Sequence, residues 1–238
     1  MTLTRHARIA GALFLLLIVV APIRLVLIPT TLFAPGDAGT TLANIAAHET
    51  LFRIGIFSDL LAGVLTLLVT LALHRLFADV DRRLATLVVI LGGILPTAIY
   101  FFNVLNDAAV LLIARAPDFL SVFDKPQRDG LAMLFLKLHG QEIGAAMVFW
   151  GLWLLPLAGL VLRSGFLPRL LGWWLVLNAL AYLAQSVTWS VLPQFDDVIT
   201  RIAFPLQFGE VALMLWLLLF GARSSLRRPP AILPTTSA

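Results

Sequence analysis

The chain of 238 residues contains no cysteine. Disulfides, thiolate metal sites and cysteine nucleophiles are therefore excluded. Charge is scarce as well: only 13% of residues are Asp, Glu, Lys or Arg, about half the share in soluble domains. No basic stripe with interleaved aromatics occurs, which argues against a nucleic-acid partner. What is abundant is apolar surface, with 60% hydrophobic residues and a mean hydropathy of +0.97. A soluble protein of this size could not hide that much, so the lipid bilayer is the expected partner.

The apolar residues fall into runs long enough for helices to cross a hydrocarbon core of about 30 Å at about 1.5 Å per residue. Six spans are predicted, at about 9–28, 54–73, 84–112, 143–161, 170–187 and 202–220, making an all-α bundle in one domain over 1–222. Residues 223–238 form a basic, proline-containing tail. Arg5 and Arg8 before the first run resemble a signal peptide, but Val19-Val20-Ala21 followed by Pro22 is a poor cleavage site, so the run reads as a retained span. Pro29 is expected to stop it, and Pro96 to kink the third span. Asp37 and Asp124 read as N-caps. If the helix capped at Asp124 runs unbroken to Leu162, it is far longer than the core. Either its first turns stand outside the membrane or it bends at Gly140.

An even number of spans puts both termini on one side. One face carries ten of the 17 Lys and Arg residues and two of the 13 acids, among them Arg75, Arg82, Arg163 and Arg169, and the positive-inside rule makes it cytoplasmic. Both termini are therefore expected in the cytoplasm.

Charged groups inside spans are costly and usually face the protein interior. Here they share a depth. In the odd spans they come late (Arg24; Asn103, Asn106 and Asp107; Gln185), and in the even spans early (Arg53 and Asp59; Lys137, His139, Gln141 and Glu142; Arg201, Gln207 and Glu210). The inner halves hold little beyond Thr66, Thr70 and Asn178. Four bases (Arg24, Arg53, Lys137, Arg201) balance four acids (Asp59, Asp107, Glu142, Glu210), which suggests pairing. Gly55, Asp59 and Gly63 make one small-residue stripe, and Gly140 and Gly144 make another small pair beside His139. Together these features predict an outward-facing polar cup, with Arg53, Asp59, Asn103, Asp107, His139, Glu142, Gln207 and Glu210 as candidates for a ligand site or polar network. Bundles also use polar groups merely to hold helices together, and boundary charges such as Arg24 can snorkel to water. His48, His139 and a carboxylate lack any metal-ligand spacing, so no metal is expected. No motif points to a cofactor. Trp150 and Trp153 read as packing, and Trp173, Trp174 and Trp189 as interface belts.

Several stretches carry a family resemblance. They are Glu49-Thr50-Leu51-Phe52-Arg53-Ile54-Gly55 with Ser58-Asp59-Leu60, Leu138-His139-Gly140 through Phe149-Trp150-Gly151-Leu152, the loop Leu162-Arg163-Ser164-Gly165-Phe166-Leu167-Pro168-Arg169, and Gly209-Glu210 near Leu215-Trp216-Leu217. In these the chain resembles, over nearly its whole length, the bacterial membrane family catalogued as domain of unknown function 4386. The resemblance implies a bacterial multi-pass membrane protein, expected in the inner membrane, and no activity. It includes Arg53, Asp59, His139 and Glu210.

Four functions fit these features. The cup would bind or sense a small polar or lipid ligand. A secondary transporter would need polar groups or broken helices nearer the midplane, which Pro96, Pro156 and Pro205 can supply. An intramembrane enzyme would use His139 with a carboxylate such as Glu142 as acid and base. A purely structural or partner-binding bundle would need none of this.

Overall fold

A computed structural model describes residues 2–222; the predicted tail at 223–238 lies outside the described residues. All regular structure among them is helical. Six helices are long and apolar enough to cross a membrane: α1 (Leu3–Leu32), α3 (Glu49–Phe77), α4 (Arg82–Ala114), α5 (Lys125–Ser164), α6 (Arg169–Ser190) and α7 (Pro193–Leu219). A short helix, α2 (Ala38–Ala47), joins α1 to α3. The chain is a multi-pass membrane protein.

The caps form where the sequence places them. The Asp37 carboxylate accepts from the Thr40 amide at 2.8 Å and opens α2. Asp124 accepts from the Gln127 amide at 2.8 Å, and Gln127 returns a bond to the Asp124 amide at 2.9 Å. That reciprocal pair satisfies two amide donors near the start of α5. Gly165 ends α5 with a φ of 65°, a left-handed turn that suits a residue without Cβ.

The prolines act differently from expectation. Pro29 does not end α1, which runs on to Leu32. A wide turn at Ile23–Leu27 lies between Pro22 and Pro29, and its Ile28 amide bonds back five residues to the Ile23 carbonyl. A second wide turn, Ile90–Ile94, precedes Pro96 in α4. Widening the helix relieves the clash between a proline ring and the carbonyl before it, so the chain continues rather than stops. Of the two alternatives for this long helix, the break at Gly140 does not occur, because α5 is helical without interruption from Lys125 to Leu152. It turns instead at Trp153. Pro156 lacks the amide that would bond the Leu152 carbonyl, and its ring crowds that oxygen. α7 is likewise interrupted, at Gln207, two residues after Pro205.

The six helices form a closed ring in which each packs on the next and α7 returns to α1. Only the Phe208–Leu219 part of α7 seals against α1, while the Asp196–Leu206 part packs on α6. Thr4 donates to the Ala222 carbonyl at 3.0 Å, so the first and last described turns meet at one end of the bundle. The principal core lies toward that end, around Phe14, Phe77, Leu157 and Leu213. Phe77 and Phe166 stack there with centroids 5.6 Å apart.

Glycines place the helices. A Cβ on Gly55 would meet Ile28 Cγ1 at 2.7 Å and Arg24 Cδ at 3.2 Å, and one on Gly63 would meet Tyr100 Cβ at 3.2 Å. The Gly55–Asp59–Gly63 stripe therefore admits α1 at one end and α4 at the other. Gly140 and Gly144 do not act as a pair: Gly144 receives the Trp189 ring, whereas a Cβ on Gly140 meets nothing within 4 Å. Replacing Gly140 with Ala, in an uninterrupted helix, should raise stability by about 0.5–1 kcal/mol. Thermal unfolding in detergent reads this as a small upward shift of the midpoint.

Candidate functional site

The polar residues divide into two groups around the ring. The first is a buried cluster joining α1, α3, α4 and α5. The wide turn of α1 carries Arg24, whose Nε and terminal nitrogen each donate to one oxygen of Asp107 at 2.7 Å. Both side chains are sealed from solvent, at 2% and 0% exposure. The guanidinium also lies 5.7 Å from the ring centroids of Phe33 and Phe52. Planar two-point pairing of this kind is the geometry in which a buried arginine best satisfies a carboxylate.

His139 sits between the two aspartates. Its Nδ1 is 3.4 Å from Asp107 Oδ1, and its Nε2 is 3.7 Å from Asp59 Oδ2. Asp59 is fully buried and neither of its oxygens has a hydrogen-bond partner. Asp59, Asp107 and His139 each offer an atom within 4.8 Å of the others, a set able to hold a metal ion. The cluster also balances without one: with a proton on His139, two cations face two carboxylates. Next to it, Asn103 donates to the His139 carbonyl at 3.2 Å, and Asn106 donates to Glu142 at 3.2 Å and to Asn103 at 3.1 Å.

The four-to-four pairing expected from the sequence is not what forms. Only Arg24 and Asp107 pair inside the bundle. Arg53 turns to Glu49 one helical turn away, at 2.7 Å, and Glu49 also takes Arg115 at 2.6 Å, so Arg53 belongs to a surface network. Lys137 and Arg201 are exposed. Long flexible cations reach water cheaply, whereas a short carboxylate cannot. His139 is oriented by the two aspartates and not by Glu142, which an acid–base pair with Glu142 would require.

The second group surrounds a cavity of about 290 Å³ inside the ring. Glu210 lines it. The Asn178 amide donates to the Glu210 carboxyl at 3.3 Å and to the Gln207 carbonyl at 3.1 Å, and Tyr182 lies within hydrogen-bonding reach of the same carboxyl. Trp174 donates to the Leu206 carbonyl at 3.1 Å. These two α6 side chains satisfy carbonyls beside the interruption in α7 and hold Glu210 at the cavity wall. The Gln207 side chain points away, bonding Gln185.

Tyr100, Trp150, Trp153 and Tyr182 supply aromatic walls. Trp150 meets Tyr182 edge-on with centroids 5.8 Å apart, and Trp153 is tilted against Phe14 at 6.3 Å. Gly92 makes room, since a Cβ there would stand 2.6 Å from the Trp153 ring. Thr66 and Thr70, the inner-half threonines picked out in the sequence, also line the cavity. The lining includes both Phe14, 3% exposed, and Val26, 56% exposed.

Tyr182 has no place in the sequence reading, Trp150 and Trp153 read there as packing, and Arg24 stands there both as one of four bases suited to pairing and as a side chain able to snorkel, not as a site candidate. The same reading assigned Trp174 and Trp189 to interface belts, yet one caps a carbonyl and the other fills the notch at Gly144. The missed signal for Arg24 was its standing as the one charge inside the first predicted span. Nothing local in the sequence marks Tyr182.

The family described as Domain of unknown function (DUF4386) matches residues 9–221. The chain belongs to this family. No curated protein and no solved structure matches it. The match takes in every helix that lines the cavity and every residue of the buried cluster, and family membership brings no activity with it.

Proposed function

We propose that this is a binding protein of a bacterial cytoplasmic membrane, one domain over residues 1–222, which holds a small polar-headed lipid or similar amphipathic molecule in the Glu210 cavity. One observation carries the reading: a carboxyl group lines an aromatic-walled cavity that has no cation in its lining. The Asn178 amide ties this carboxyl to α6, yet the carboxyl also lines the cavity, which a residue serving only to join helices need not do. Access from the bilayer fits the exposure of Val26, and the volume suits a headgroup and a few carbons.

Thermal unfolding of delipidated protein against a panel of membrane lipids and small amphiphiles tests it. A ligand should raise the wild-type midpoint and raise that of Glu210→Gln distinctly less, while Asp59→Asn, outside the cavity, retains the full shift. Equal responses from wild type and Glu210→Gln would defeat the assignment.

A second reading has its own support. Two of the six spans, α5 and α7, are interrupted, and α1 and α4 each carry a wide turn; broken helices around a mid-bundle site are a common architecture of secondary transporters. Uptake of the bound ligand into proteoliposomes would favour it; binding without uptake would leave a sensor or carrier.

The charge asymmetry of the loops supports cytoplasmic termini. The absence of native cysteine makes the test simple. A single cysteine at Ser121 should react with an impermeant thiol reagent in intact cells, and one at Asp79 only after permeabilisation. The reverse pattern would invert the topology.

A further inference from the structure

Resting on the Glu210 cavity as a ligand site, we infer that its ligand carries a positively charged headgroup, an alkylammonium or similar lipophilic cation. Among the described residues Glu210 has only neutral neighbours for its carboxyl: Asn178, which donates at 3.3 Å, and Tyr182, whose hydroxyl lies within reach. The residues lining the cavity include no Lys, Arg or His, and Glu210 is their one acid. An anionic headgroup would therefore meet a carboxyl and no counter-charge. A neutral polar headgroup could bond Glu210 but would leave the aromatic walls without a specific role.

A cation uses both features. The faces of tryptophan and tyrosine attract a cation within about 6 Å of the ring centre, most strongly away from water. The carboxylate adds the compensating charge that a buried cation needs. Tyr100, Trp150, Trp153 and Tyr182 stand around the same space as Glu210, which is the composition of an aromatic cage. The apolar remainder, Phe14, Leu17 and Ile18 on α1 and Val69 on α3, accommodates an alkyl portion. The ring's seal between α1 and α7 lies in the Phe208–Leu219 part, and exposed Val26 on α1 marks the route by which a chain extends into lipid. The buried cluster offers no comparable site, since its cation, Arg24, is already bonded to Asp107.

The experiment uses the full chain in nanodiscs of neutral lipid and three probes of equal chain length: octyltrimethylammonium, its uncharged isostere with carbon in place of nitrogen, and octyl sulfate. Binding is followed by calorimetry and by the fluorescence of the wall tryptophans. The cation should bind at least ten-fold tighter than the isostere, and the sulfate should not bind. Glu210→Gln should reduce the ratio of cation to isostere to less than three-fold while keeping isostere binding. Trp150→Leu should also lower the ratio. The comparison among probes on the wild type requires no variant, so a poorly folded mutant does not obscure it. Equal binding of cation and isostere overturns the headgroup assignment and leaves the cavity reading standing. Failure of all three probes overturns both.

Discussion

Arg24→Ala is expected to lower stability by about 3–5 kcal/mol. It strands Asp107, which is fully buried and takes both of its short contacts from that guanidinium. Asp107→Leu should do the same by stranding Arg24 between Phe33 and Phe52. The double replacement Arg24→Met with Asp107→Leu should recover much of the loss, because an apolar pair removes the desolvation penalty along with the attraction. Reversible unfolding in mixed micelles measures all three. A snorkelling Arg24 would instead give a loss of about 1 kcal/mol or less and near-additive changes in the double variant. His139 and Asp59 remain in the double variant and can still face each other, so binding of a cavity ligand should survive it.

Gly11→Val should unfasten the ring where it closes. A Cβ at Gly11 would stand 2.7 Å from the Leu218 amide nitrogen and 3.0 Å from its Cα. These are backbone atoms of α7, so no side chain can turn aside, and the two helices must separate. Overpacking of this sort costs about 1–3 kcal/mol and sometimes more, and a β-branched side chain sits at the upper end. Loss of the Thr4 bond to the Ala222 carbonyl should accompany it, because both lie at the same seam. Gly11→Ala should give a smaller loss in the same direction. The informative readout is a crosslink between α1 and α7, formed through cysteines placed in an otherwise cysteine-free chain: its yield should fall with the size of the side chain at position 11. A yield unaffected by Gly11→Val would mean that the ring closes elsewhere.

How legible the molecule is from its sequence depends on the range of the interaction in question. The helices were legible because lipid leaves the backbone no partner but itself, so an apolar run of sufficient length must be helical. The caps at Asp37 and Asp124 were legible because they act over three residues. Arg53 is a contrary case. Its depth in the sequence matched that of Asp59, but a side chain long enough to reach the surface found Glu49 one turn away. Depth alone cannot distinguish a residue facing the ring from one facing outward. The effect of a proline was also only half legible: its position marks a disturbance, but whether the helix stops, widens or turns depends on neighbours that take up the released carbonyls, as Trp174 and Asn178 do for α7.

By itself, then, the sequence determined the class of the protein, the number of spans, their caps and the identity of the short acids that cannot escape to water, because all of these follow from local chemistry and the cost of charge in hydrocarbon. The tertiary structure alone decided which acid met a cation and which came to line a cavity. Arg24 comes from the first span and Asp107 from the third; Glu210 comes from the sixth and its aromatic walls from three others. No periodicity links residues so far apart in the chain. What joins them is the closing of the ring, and that rests on how closely α1 and α7 can approach at Gly11.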